Sequence, residues 1–269
     1  MRSITIIGAG VRTPDHLTLE ADRLLRETDA IYHLLADNPA VTAYLQQLKR
    51  PLVNLSPYYR EDAFRLSVYE KIADIVLQAA LAPAAICFVV PGHPLVYVTS
   101  STLILDRAPK HGIRVKLVPG ISSLDTMIVQ LRLEIGVQGL QVFEANRFIY
   151  YEIEPDPRVP LFLFQPGAVG TGYITARRNN HRQRFDILRT ALLRTYSPRH
   201  RCTLLISQHD PQQPPLNSSF SLGTLSEQAD SLGNDATLFV PPAERFEIRD
   251  WRYYNNLMER ARARIGVEG

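Results

Sequence analysis

The sequence predicts an α/β protein of two lobes, with a mostly parallel sheet in the first and a mixed sheet in the second. Three observations carry that expectation. Between residues 3 and 118, apolar strand-like runs alternate with amphipathic helical stretches, the order that builds a parallel sheet covered on both faces. After Pro119-Gly120, strand-like runs follow one another with few helices between them, which points to more antiparallel pairing. A chain of 269 residues sits at the upper edge of one domain or supplies two modest lobes. The expected division is 1–118, 119–243 and a helical tail at 244–269.

Each element follows from its own pattern. "SITIIGAG" reads as a buried strand running into a glycine turn. "TPDHLTLEADRLLRETDA" is an amphipathic helix with Leu17, Leu19, Leu24 and Leu25 on its apolar side. "AIYHLLA" is a second strand and "NPAVTAYLQQL" a short helix. "EDAFRLSVYEKIADIVLQAAL" makes a long helix and "AAICFVV" a third strand. "YVTSSTLILDRAPKHG" is a helix closed by glycine, and "IRVKLVPG" a fourth strand. In the second half "ISSLDTMIVQLRL" is helical, and "GLQVFEA", "LFLFQPG", "CTLLISQ" and "ATLFVPP" are strands. One helix, "HRQRFDILRTALLRTY", interrupts them, and the Pro/Gln/Ser stretch at 208–222 is a loop. The tail reads as a helix with Trp251 and Leu257 on its apolar face.

Composition narrows the class. The chain is 45% apolar and 21% charged, an ordinary globular balance, and its net charge of +3 is too small to imply nucleic acid. Arginines gather at Arg177, Arg178, Arg182 and Arg184, and again at Arg245, Arg249, Arg252, Arg260, Arg262 and Arg264. Acids and apolar residues interrupt both groups, so they read as solvated faces or oligomer contacts. Cys87 and Cys202 lie in apolar runs without metal-ligand spacing, which suggests buried reduced thiols in a cytosolic protein and no metal. The N-terminus lacks a signal-peptide pattern, and no apolar run approaches the ~20 residues of a membrane helix. The expectation is a cytoplasmic protein with no membrane and no nucleic-acid partner.

Chemistry concentrates at three strand ends, where an open parallel sheet binds its ligands. These ends read "GAGVRTP", "PGHPLVY" and "PGISS". The first lacks the third glycine of a dinucleotide fingerprint, and no phosphate loop is present. In combination, "ITIIGAGVRTPDHLTLEADRLLRETDAIY", "GHPLVY" and "VPGISS" resemble the S-adenosylmethionine-dependent tetrapyrrole methylase superfamily over roughly residues 3–243. That resemblance implies the two-lobed class III methyltransferase fold, with the cofactor S-adenosyl-L-methionine in the cleft between lobes. Carried onto this sequence, it implies cofactor contacts at Gly10, Pro91, Gly92, His93, Pro94, Val96, Tyr97, Ser122, Ser123, Gln165 and Pro241.

His93 stands where the superfamily usually has aspartate, and "GHP" is similar to the borosin peptide α-N-methyltransferases. "VPGISSLD", "VFEANRF", "LFLFQPGAVG" and "TLFVPPAERFEI" resemble further blocks of that branch. The branch methylates backbone amides of a ribosomal peptide. An amide nitrogen is a poor nucleophile because its lone pair is delocalised into the carbonyl. Methylating it requires proton removal or stabilisation of negative charge on oxygen. A tyrosine beside an arginine suits both, since the guanidinium favours phenolate and other phenols can donate. "SPYYREDAFRLSVYEKI" supplies such groups, with Arg65 and Tyr69 on one helix face. The resemblance implies Tyr59, Arg65 and Tyr69 as the catalytic set, and Tyr58, Phe143 and Asn146 at the substrate.

Other readings stay open. Tyrosines at helical spacing are ordinarily half-buried packing residues; His93 is more simply a loop-shaping hydrogen-bonder than a base; Asn146 is a ligand contact or only a turn residue. Pro91 replaces the tyrosine that precedes "GHP" in the borosin branch, removing a phenol and a backbone N–H. The alternatives are a corrin- or porphyrin-precursor C-methyltransferase, whose polycarboxylate substrate needs a cleft lined by Arg and Lys, and a non-catalytic cofactor-binding partner. Because the sequence closes on a charged helix, the resemblance implies a separate precursor peptide as substrate. It also implies a homodimer, with Trp251, Tyr253 and Tyr254 at the interface.

Overall fold

Nearly continuous apolar runs build the first sheet. The computed structural model describes residues 2–35, 39–174, 182–209, 213–231 and 235–265. In it β1 (Ser3–Gly8), β2 (Ala30–His33), β3 (Leu52–Asn54), β4 (Ala85–Val90) and β5 (Arg114–Val118) lie in the order β3-β2-β4-β1-β5, every pair parallel. The intervening helices are α1 (Leu19–Glu27), α2 (Pro39–Gln47), α3 (Arg65–Ala79) and α4 (Thr99–Arg107). Successive strand side chains point to opposite faces. Ile4, Ile6, Ile86 and Phe88 therefore join α3 and α4 in one core, while Ile7, Ile31, Cys87 and Val89 join α1 and α2 in another. Leu19, expected on the buried side of α1, is 92% exposed because the buried stripe runs through Ala21 and Leu25.

The second sheet comprises β6 (Gln141–Glu144), β7 (Leu161–Phe164), β8 (Arg201–Ile206), β9 (Leu216–Ser221) and β10 (Ala236–Val240) in the order β6-β7-β10-β8-β9. Only β6 and β7 run parallel; the other pairs are antiparallel. With it come α5 (Ser123–Leu131), α6 (Ile135–Gln138), α7 (Ala145–Tyr150), α8 (Arg182–Leu192) and the tail helix α9 (Trp251–Ile265). Leu161, Leu163, Leu204 and Leu238 face α7 and α8. The alternate residues Phe162, Phe164, Leu205 and Phe239 pack instead on α5 and on Val96 and Tyr97, which follow β4. This second face is the seam between the lobes.

Two expectations need correcting. The stretch 208–222 is not all loop, because it holds β9, an edge strand in which Phe220 alone is buried. Arg184 is not a solvated charge: it is half-buried, 5.7 Å from the Phe185 ring, and its Nη2 donates to the Gly167 carbonyl. Arg182, Arg245, Arg249, Arg252 and Arg260 are exposed; Arg177, Arg178 and the side chains of Arg262 and Arg264 lie outside the described residues. Cys87 and Cys202 are buried free thiols. Among the described residues no helix is long and apolar enough to cross a membrane.

Candidate active site

Three glycine loops meet at the carboxyl ends of β1, β4 and β5. A Cβ on Gly8 would stand 2.5 Å from the Gly92 carbonyl oxygen and 2.8 Å from the Gly120 nitrogen, so the strand ends touch backbone to backbone. Gly10 and Gly92 exchange both main-chain hydrogen bonds, at 3.1 and 2.9 Å. Gly92 makes that turn with φ of +67°, in the left-handed region. His93 shapes the same loop, its Nδ1 accepting from the Leu95 N–H at 3.2 Å. Pro94 lies beside Gly8. Ser122 forms a capping box on α5: its Oγ accepts from the Asp125 N–H at 3.2 Å, and its own N–H donates to the Asp125 carboxylate at 2.6 Å. Ser123 opens that helix and gives its carbonyl to Thr126.

Beside this cradle lies a cleft of about 940 Å³ between the lobes, within the ~300–1,000 Å³ of ordinary small-molecule sites. Val96, Tyr97 and Gln165 line it, as do Arg65, Tyr69 and Asn146. Tyr97 stacks on Phe164 at 4.6 Å. Tyr97 and Gln165 both hold positive φ, +58° and +54°, a strained backbone that clusters at ligand sites. Burial pushes the Tyr97 phenol up to about 12, with Glu144 adding to the shift and Arg147 opposing it.

The first-lobe wall is the start of α3. Phe64 offers no side-chain cap, so the first helical N–H, that of Arg65, bonds the Gly172 carbonyl at 2.9 Å instead. A strap from the second lobe thus runs along residues 62–65, with Ile174 N–H to Ala63 at 2.8 Å and Asp62 N–H to Ile174 at 3.0 Å. Ile174 itself is buried in the first-lobe core. The Arg65 guanidinium donates to Thr171 of that strap at 2.8 Å. One turn on, Tyr69 faces Tyr59, ring centroids 6.1 Å apart.

The sequence pattern has Arg65 favouring phenolate at its neighbours. In the fold burial wins. The Tyr69 phenol lies above its ordinary range through burial first, with Arg65 pulling down and Glu144 pushing up. Tyr59 is raised by burial and then by Tyr69, although solvent still reaches its 39%-exposed ring. At neutral pH both phenols keep their protons and serve as donors.

The second-lobe wall is wired internally. The Asn146 amide nitrogen donates to the Ala168 carbonyl at 2.9 Å and to Glu144 Oε1 at 3.1 Å, while its oxygen accepts from the Gly170 N–H at 2.9 Å. Glu144 Oε2 accepts from the Arg147 N–H at 2.8 Å and caps α7.

Several expected contacts lie elsewhere. Tyr58 packs against the first-lobe core, and Phe143 against the second-lobe core, 6.2 Å from Phe148. Gly10 and Pro91 line, with His209, a pocket of about 10 Å³, too small for a ligand. The Pro241 carbonyl is 2.9 Å from His200 Nε2. The pattern missed Glu144, Arg147 and the strap at 171–174; the acid in "FEANRF" was the available clue to the first.

Residues 3–204 match the family described as Tetrapyrrole (Corrin/Porphyrin) Methylases. A methyltransferase and type I borosin cyclic peptide precursor of Serendipita vermifera subsp. bescii is 28% identical over 246 residues, covering 90% of this chain and 59% of that protein. The methyltransferase and omphalotin A precursor of Omphalotus olearius is 27% identical over 247 residues, covering 90% and 58%. This chain therefore spans about three fifths of the length of these relatives. The solved uroporphyrin-III-C-methyltransferase of Thermus thermophilus superposes with a TM-score of 0.64 at 21% identity, over 90% of this chain and 95% of that one. A cobalt precorrin-4 methyltransferase gives 0.60 at 13%, over 89% and 95%. These likenesses are of fold.

Proposed function

The chain belongs to the tetrapyrrole (corrin/porphyrin) methylase family, and from that membership we propose that it is an S-adenosylmethionine-dependent methyltransferase acting on backbone amides of a ribosomally made precursor peptide. The observation that carries the reading is the placing of Arg65 and Tyr69 on one wall of the cleft, with Tyr59 facing Tyr69 and the glycine cradle beside it. The residues fit the methyl donor. Backbone meets backbone at Gly8, Gly92 and Gly120, leaving main-chain groups rather than side chains to hold a polar ligand, and a Thermus thermophilus structure of the same fold is complexed with S-adenosylhomocysteine. When bound, the cofactor supplies an electrophilic methyl group on a sulfonium. On this reading Gly92, His93, Pro94, Val96, Tyr97, Ser122, Ser123 and Gln165 hold it, and residues 1–118 and 119–243 are the two lobes that close on it.

The chain's own groups then act on the acceptor. The neutral Tyr59 and Tyr69 phenols donate to the amide oxygen as negative charge grows there, and Arg65, fixed by Thr171, adds positive charge beside them. The charged residues lining the cleft among those described are Arg65, Glu144 and Arg147. Two cations and one anion suit an amide better than a polycarboxylate tetrapyrrole. Exposed Phe64, Leu66, Leu95 and Tyr150 stand at the cleft, so a separate peptide can reach it from solution. We also infer a homodimer, because Trp251, Tyr253 and Leu257 of α9 are all more than half exposed in one chain.

Three measurements test this reading. Calorimetry is expected to show S-adenosylmethionine and its demethylated product binding; no binding to folded protein overturns it. Mass spectrometry of a precursor peptide incubated with enzyme and cofactor is expected to show added 14-Da increments, roughly one per methylated amide. A monomeric mass by light scattering at micromolar concentration overturns the dimer.

A further inference from the structure

Resting on the peptide-methylating reading, one question remains: where the amide proton goes. Six titratable side chains line the cleft among the described residues: Arg65 and Tyr69 of α3, Tyr97 after β4, and Glu144, Arg147 and Tyr150 around β6 and α7. Arginine carries no basic site. The phenols of Tyr69 and Tyr97 are held protonated by burial. Glu144 differs. Each of its oxygens accepts a hydrogen bond, Oε1 from Asn146 Nδ2 and Oε2 from the Arg147 N–H. Acceptance at both oxygens is the pattern of the carboxylate, which still has about two lone-pair sites free.

We propose that Glu144 is the proton acceptor of methyl transfer, and that Asn146 and the Arg147 amide are the groups that aim it. In the step the amide nitrogen bonds to the methyl carbon while the carbon–sulfur pair leaves with sulfur as a thioether. The N–H bond breaks, its pair stays on nitrogen, and the proton bonds to a Glu144 oxygen. A sulfonium and a carboxylate become a neutral thioether and a neutral acid, so charge balances without phenolate. A carboxylate is too weak to strip a resting amide; it suffices here because the proton is lost as the nitrogen gains its fourth bond. The acid later returns its proton to water through the open cleft.

The test uses Glu144→Gln, which keeps the shape and removes the charge, and Glu144→Asp, which keeps the charge and withdraws it by one carbon. The first readout needs no cofactor: tyrosinate absorbance against pH. With the carboxylate beside Tyr69 and Tyr97, the Gln variant ionises its cleft phenols at lower pH than wild type, and Asp does so less; superimposable titrations overturn the placement. The second readout is single-turnover transfer of a tritiated methyl group to a synthetic copy of the precursor segment of the Omphalotus olearius relative, with a uroporphyrin-type acceptor in parallel. Glu144→Gln is expected to lose ~10²–10⁴-fold in rate with S-adenosylhomocysteine affinity unchanged, and Asp to recover part. Wild-type rate in Gln overturns the proton-acceptor role and leaves the peptide reading standing. Transfer to the tetrapyrrole alone overturns the peptide reading, and Glu144 is then judged by the same variants on that acceptor. No transfer to either overturns both.

Discussion

The two walls of the cleft are built on opposite principles. On the first-lobe side Tyr59 and Tyr69 touch each other through their rings, and among the described residues neither phenol has a hydrogen-bond partner. Among the described residues the Arg65 guanidinium is held from across the cleft by Thr171, and its main-chain N–H by Gly172. On the second-lobe side Asn146 makes three hydrogen bonds and Glu144 accepts two. One wall keeps its donors uncommitted; the other commits Asn146 and part of the acceptor capacity of Glu144 to fixing its own geometry. A site that must stabilise charge appearing in the transition state needs both, free donors and a rigid frame to aim them. The comparison therefore predicts that variants of the first wall lose rate. On the second wall a variant of a group that only holds the frame, such as Asn146, loses stability, while a Glu144 variant loses rate.

Beside Glu144, the largest expected effects fall on the first wall. Tyr69→Phe and Tyr59→Phe keep ring packing and delete the donor, so methyl transfer is expected to drop ~10²–10⁴-fold per residue while the melting temperature and cofactor affinity barely move. Full activity in both would place the tyrosines in packing alone. Arg65→Lys comes next. A compact ammonium cannot both reach the Thr171 carbonyl and present a planar fork to the phenols, and loss of one charge-stabilising donor costs on the order of 10² in rate. Thermal melting beside single-turnover kinetics separates these effects.

Asn146→Ala probes the second wall. It leaves the Gly170 N–H and the Ala168 carbonyl without their partner and frees one oxygen of Glu144. Unsatisfied groups of this kind cost ~1–3 kcal/mol, or roughly 2–10 °C of melting temperature in a chain of this size. Activity per folded molecule is expected to fall less than in the tyrosine variants. A rate loss equal to theirs, with no change in melting, would erase the distinction between the walls.

The same contrast explains what the sequence disclosed. β1, β4 and β5 were legible because both faces are covered, so their apolar runs are unbroken, as in "AICFVV". The glycine loops were legible because close backbone approach admits no Cβ. β3 and β9 were not. The first has three residues, none buried, and the second is an edge whose "LNSSFS" reads as a polar loop. Tyr58 and Tyr59 are neighbours with the same chemistry, and only the turn at Ser56–Tyr58 decides that one enters the core while the other meets Tyr69. Glu144 was hidden because α7 has six residues, too few for helical periodicity to reveal a capped start.

The smallest effect expected is on alkaline stability, and it sharpens the account of the phenols. Tyr97 is pushed up to about 12, chiefly by burial, and Tyr59 and Tyr69 are also raised by burial first. A group that binds its proton more tightly folded than unfolded adds stability that is complete below its unfolded value and fades as pH rises toward the folded one. For tyrosine the unfolded value is about 10, so all three contribute fully at neutral pH. Tyr97 loses its contribution between roughly pH 10 and 12, and Tyr59 and Tyr69 lose theirs as pH rises above about 10. The buried thiols act alike from lower pH, with burial pushing Cys87 to about 11 and Cys202 to about 12. Melting temperature is therefore expected to hold level to about pH 9 and to fall steadily above it. Tyr97→Phe keeps the stack on Phe164 and removes the ionisable proton, so its decline above pH 10 is expected to be shallower than that of wild type. An identical slope would mean that Tyr97 ionises in the folded chain as freely as in water. Its neutrality, and with it the picture of a cleft lined by donors, would then be lost.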